Sequence, residues 1–142
     1  MQRRRLMMAT ALGGLGLGSP ALRAADEGLA VIAHPGVKGL DLEGLKRLYT
    51  GRMVELDGLP LRPLNLPAGT ALRQRFLRAV LQQDDDDYIA YWTVRRHIGK
   101  GVPPRELRSS AEVLELVART PGAVGYVETA ELRPGVSVLL RR

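Results

Sequence analysis

The sequence predicts an α/β domain, a three-layer α/β/α sandwich built on a mixed sheet. Two observations carry that prediction. Short, continuous apolar runs of strand length occur at residues 29–33 and 123–127, each bounded by turn residues. Between them lie four segments whose apolar residues recur every three or four positions, the period of a helix with one buried face. The resulting order is β-α-β-α-α-α-β-β. Strands interleaved with helices in this way bury their sheet between helical layers.

The elements follow in turn. Residues 29–33 form a strand that ends at the turn His34-Pro35-Gly36. Asp41 is a good N-cap for a helix carrying Leu42, Leu45, Leu48 and Tyr49, and Gly51 closes it. Asp57-Gly58 marks a tight turn. Residues 61–65 form a short strand, and Pro63 assigns it an edge or end position. Pro67-Ala68-Gly69-Thr70 leads into a helix with Leu72, Phe76, Leu77, Val80 and Leu81 on its buried face and Arg73, Arg75 and Arg78 mainly on the other.

Asp84 to Asp87 then precede a helix carrying Tyr88, Ile89, Trp92 and Val94, where acids complement the helix dipole. That helix ends near Gly99-Lys100-Gly101, and Val102-Pro103-Pro104 is a loop. Ser109 and Glu112 form a capping box for the next helix, which Thr120-Pro121-Gly122 stops. A strand at 123–127, a turn at Pro134-Gly135 and a last strand at 136–140 complete the chain.

The first 24 residues read as an export signal. Arg3, Arg4 and Arg5 precede an apolar stretch from Leu6 to Leu17, followed by a small-residue exit containing Pro20. Cleavage fits after Ala21 or after Ala24, by the general-secretory or the twin-arginine route. The apolar stretch is shorter than the roughly 20 residues that span a bilayer. Residues 25–142 are then one domain in the periplasm, with no stable membrane span after cleavage. The formal charge of +6 suggests a polyanion partner. Four of the basic residues, however, lie in the signal, which holds no acid. The remaining chain is close to balanced and has no nucleic-acid reader motif, so no nucleic-acid partner is expected.

The chain has no cysteine, which excludes disulfides, thiolate metal sites and a cysteine nucleophile. Its two histidines, His34 and His97, lie far apart in sequence with no carboxylate at ligand spacing, so neither a metal nor another cofactor is expected. No glycine–serine elbow, phosphate loop or metalloprotease motif occurs, and the reading is not that of an enzyme.

Four strings occur in a telling order: Leu45-Lys46-Arg47-Leu48-Tyr49-Thr50-Gly51, Pro67-Ala68-Gly69-Thr70, Tyr91-Trp92, and Thr120-Pro121-Gly122-Ala123-Val124-Gly125-Tyr126-Val127. Together they resemble one lobe of the phosphate-type substrate-binding proteins of ABC uptake systems, over about residues 28–127. The resemblance implies one lobe of a type 2 periplasmic binding protein. It also implies a small oxyanion as ligand and a membrane transporter or sensor as partner.

In that family a strand ends in an arginine, and the next loop closes with Ser-Gly-Thr at a helix start. Backbone N–H groups, the helix dipole, hydroxyls and the arginine together hold the anion. Here the resemblance assigns ligand contacts to Asn65, Gly69, Thr70 and Arg73, with Arg75 nearby. Ala68 replaces the serine, and Leu64 stands where the arginine would be. Weak or no phosphate affinity is therefore expected of the chain alone. The alternative is a periplasmic interaction or regulatory module that uses the lobe as a scaffold.

Overall fold

The computed structural model describes residues 28–142. The export signal and its cleavage site lie outside the described residues. Strand β1 (Leu29–Ala33) is buried along its whole length. Helix α1 (Leu42–Tyr49) follows, and Asp41 caps it by accepting a hydrogen bond from the Gly44 N–H at 2.8 Å. A two-residue hairpin, β2 (Glu55–Leu56) with β3 (Leu59–Pro60), turns at Asp57 and Gly58, both with positive φ. Sequence reading supplied that turn without the paired strands.

Next come β4 (Arg62–Asn65) and α2 (Ala71–Phe76). The latter runs directly into a π-helical turn, Leu77–Leu81, which ends at Gln82 in the left-handed region. Helix α3 (Asp85–His97) is capped by Asp84, which accepts from the Asp87 N–H at 2.8 Å. Strand β5 (Arg105–Glu106), helix α4 (Ser110–Arg119) and strand β6 (Ala123–Glu128) follow. A short 3-10 turn (Thr129–Glu131) leads to β7 (Ser137–Arg141). Ser109 caps α4 by accepting from the Glu112 N–H. Glu112 reaches back one residue further than expected, to the Arg108 N–H at 2.8 Å.

The strands form a five-stranded mixed sheet in the order β5-β4-β6-β1-β7. Strand β4 is parallel to β5 and β6, whereas β1 is antiparallel to β6 and β7. Helices cover both faces. Val113 and Val117 of α4 lie against Gly125 on one face. On the other, Tyr126 stacks on Phe76, whose ring meets Tyr49 of α1 edge-on. The three-layer sandwich expected from sequence is the observed architecture. Burial on both faces explains the unbroken apolar run of β1.

Two local features have clear causes. Pro63 sits inside a strand because β5 begins opposite Leu64, so no strand lies beside Pro63 on that side. Gly122 adopts φ +80°, and a Cβ there would strike the Pro60 carbonyl oxygen. The glycine lets the chain turn tightly from α4 into β6.

Candidate functional site

The segment singled out from sequence lies at the C-terminal end of β4, where parallel strands of an α/β sheet commonly open onto a ligand crevice. Asn65 ends the strand, Gly69 takes φ +85° in the loop, and Thr70 is the N-cap of α2. Arg73 lies in the first turn of that helix. The fold thus gathers all four predicted ligand residues into one short stretch. Each is already engaged within the protein.

The Thr70 hydroxyl donates back to the Pro67 carbonyl at 2.9 Å and makes no bond to a helix N–H. The Gly69 N–H donates to Asp85 Oδ2 at 2.5 Å, and Arg73 Nε donates to Asp85 Oδ1 at 2.6 Å. One carboxylate, carried by the first turn of α3, therefore fills the position between a loop N–H and a guanidinium. That is the geometry by which such loops hold an oxyanion.

Arg73 has two further partners. Its Nη1 donates to the Leu66 carbonyl at 3.0 Å and to Glu106 Oε1 at 2.8 Å. The guanidinium also lies over the Tyr88 ring, 5.5 Å from the centroid. The residue is only 2% exposed, which overturns its expected place on the outer helix face. Burial of this charge is tolerated because two carboxylates, a carbonyl and a ring surround it. Arg75, also considered for the anion, is ion-paired with Glu128.

Asn65 is 1% exposed and faces the α1–α3 side of the sheet, where its Oδ1 accepts from the Tyr126 hydroxyl and from the Leu66 N–H at 3.0 Å. The Tyr126 oxygen also accepts from Leu66 N–H at 3.1 Å. Burial raises the Tyr126 pKa well above the ordinary phenol value, so it remains a donor at neutral pH. Tyr49, Tyr88 and Trp92 extend this polar core. Tyr49 donates to the Leu64 carbonyl at 2.7 Å, and both Tyr88 and Trp92 donate to the Tyr49 carbonyl. Tyr88 and Trp92 thus hold helices together in the structure, and burial raises the Tyr49 and Tyr88 pKa values too.

Leu64, where the resemblance would put an arginine, packs towards Gly125 on the α4 face, away from the cradle. Above the cradle lies a recess of about 480 Å³ bordered by Asp84, Asp85 and Asp86, with Arg78 as its one basic residue among the described residues. Its electrostatics oppose an incoming anion. No group of three or more potential metal ligands occurs among the described residues. His34 Nδ1 accepts from the Gly36 N–H at 3.2 Å, a local turn contact, and His97 lies in the last turn of α3.

Sequence reading missed the two acids that matter most. The run Asp84 to Asp87 carried only a dipole and capping signal, which all four acids share. Glu106 sits on a two-residue strand that no periodicity could mark.

This sheet order, covered on both faces and with the loop site at the end of β4, is a fold that recurs in part of larger known proteins. Two solved structures share it. One is an ABC-type phosphate transport receptor from Vibrio cholerae, 17% identical, covering 79% of this chain and 45% of its own, with a TM-score of 0.61. The other is a putative phosphate ABC transporter substrate-binding protein with bound phosphate from Clostridium perfringens, 23% identical, covering 79% and 44%, with a TM-score of 0.57. The chain thus spans less than half the length of either. No family model and no curated protein matches it.

Proposed function

We propose that this chain is an exported, solute-binding-like domain that does not retain phosphate by itself and serves as an interaction module, docking to a membrane transporter or sensor. The observation that carries this reading is the Asp85 carboxylate between Gly69 N–H and Arg73 Nε. A phosphate entering that position would have to displace this bidentate internal anion and pass Asp84 and Asp86. The 1.5–3 kcal/mol typical of a charge-assisted hydrogen bond is already used within the fold.

The interaction role draws on exposed apolar side chains outside the cradle. Val94 and Ile98, four positions apart at the end of α3, are 61% and 57% exposed. Export rests on the basic and apolar pattern of the first 24 residues. No helix among the described residues is long and apolar enough to cross a membrane.

The test has two parts on the natively expressed protein. Calorimetry with phosphate, arsenate and sulfate should give no saturable heat. Purification from the envelope fraction should recover one stoichiometric transporter or sensor subunit. Saturable phosphate binding by the isolated protein would overturn the proposal.

A further inference from the structure

A second recess, on the opposite face of the sheet from the cradle, has a different character. It encloses about 440 Å³ between the start of β4, the loop before β5 and the end of α4. Its body is apolar: Pro63, Leu64, Val102, Pro103, Pro104 and Leu116 contribute to its walls. The three prolines carry no backbone N–H, so those positions offer a guest no donor. Val102 is 74% exposed at this recess among the described residues.

Charge enters from two directed residues. Side chains two apart on a strand share a face, so Arg62 and Leu64 of β4 point the same way. Arg105 is paired in register with Leu64 and joins them on the α4 face. Strand geometry sets the Arg62 and Arg105 Cα atoms about 8 Å apart. Both arginines are exposed and line the recess, no acid lines it, and neither forms an ion pair among the described residues. Thr120 adds a hydroxyl at the end of α4. The contrast with the cradle is direct: there the arginine is neutralised internally, whereas here two arginines stand without an ion pair among the described residues beside an apolar slot.

We infer that this recess is a binding site for an amphipathic organic anion, with its apolar body against the prolines, Leu116 and Val102 and its anionic group between Arg62 and Arg105. The volume falls within the range of roughly 300–1,000 Å³ typical of small-ligand sites, and an apolar lining with a few placed charges is their common composition. This site is independent of the cradle, so its failure would leave the reading of Asp85 untouched.

The probe is anilinonaphthalene sulfonate, followed by fluorescence on the folded protein, with phenylnaphthylamine as an uncharged analogue. Saturable binding of one sulfonate per chain is expected, with the uncharged analogue at least tenfold weaker. Arg62→Gln combined with Arg105→Gln should weaken the sulfonate at least tenfold, and so should Val102→Asp. All three positions are exposed, and unchanged thermal unfolding would show that the variants are folded. The absence of saturable binding, or equal affinity in the wild type and both variants, would overturn the assignment.

Discussion

Asp85→Ala removes the carboxylate that fills the cradle. Gly69 N–H and Arg73 Nε both lose their acceptor. The two carboxylates around Arg73 are unequal. The Asp85 side chain is 14% exposed and the Glu106 side chain 53%, so the remaining pair is the better solvated and weaker one. Removing one partner of a buried pair costs about 3–5 kcal/mol. Retention of Glu106 and of the Leu66 carbonyl places this case at the low end, about 3 kcal/mol. At about 4 °C per kcal/mol for a domain of this size, thermal unfolding should fall by about 12 °C.

The vacated slot should then accept an external anion. Formate or phosphate should stabilise Asp85→Ala by up to about 2.7 kcal/mol at a hundredfold excess over Kd, and so raise its midpoint. Asp85→Asn is the matched control, since its amide keeps the slot full without charge. It should lose about 2 kcal/mol, the scale of one charge-assisted bond, and show no rescue. Differential scanning fluorimetry across an anion series reads all three proteins. A midpoint for Asp85→Ala within about 2 °C of wild type, or equal anion stabilisation of wild type and variant, would refute the reasoning, given that midpoint scale.

Other outcomes follow from the core. Tyr49, Tyr88 and Tyr126 all have pKa values raised by burial above the ordinary 10.0. The unfolded chain therefore releases these protons first as pH rises. Stability should be unaffected by these groups below about pH 10 and fall above it, by up to about 1.4 kcal/mol per pH unit for each phenol. Circular dichroism and phenolate absorbance should show ionisation coinciding with unfolding; ionisation of all phenols in a still-folded protein would contradict it. Gly122→Ala should cost at least about 2 kcal/mol in urea unfolding, through left-handed strain and collision with the Pro60 carbonyl. Gly135→Ala, at φ +100° with open space around it, should cost clearly less. Equal costs would show that the close approach to Pro60 contributes nothing.

Much of this architecture was legible because its signals are local. Asp41, Ser109 and Gly51 mark helix ends through short-range capping chemistry, and they do so in the structure. The run 29–33 announced a strand buried on both sides. Arg73 shows where chemistry misled pattern. It lies three and four positions before Phe76 and Leu77 and seven before Val80, in the middle of the buried stripe. Its charge suggested solvent, but its position was right for burial and its partners came from elsewhere in the chain. Asp85 and Glu106 lie 12 and 33 residues away, so only tertiary folding brings them to Arg73. The π turn at Leu77–Leu81 had no sequence signature beyond ordinary helical spacing.

The same separation explains the candidate site. Gly69, Thr70, Asn65 and Arg73 were recognisable as a group because a strand end, the loop after it and one helical turn contain them all. Their occupation by an internal anion was not, because nothing in the run Asp84 to Asp87 distinguishes the second acid from its neighbours. A resemblance in the loop singled out these four residues, while Asp85, which bonds to two of them, came from the next helix.

The central claim is that Asp85 holds the cradle in the resting protein. Two-dimensional amide NMR of the wild-type chain titrated with phosphate tests it most directly, through the Gly69 and Thr70 resonances. The account expects both amides to stay unmoved in wild type and to shift saturably in Asp85→Ala; a saturable shift of the Gly69 amide in wild type would contradict it.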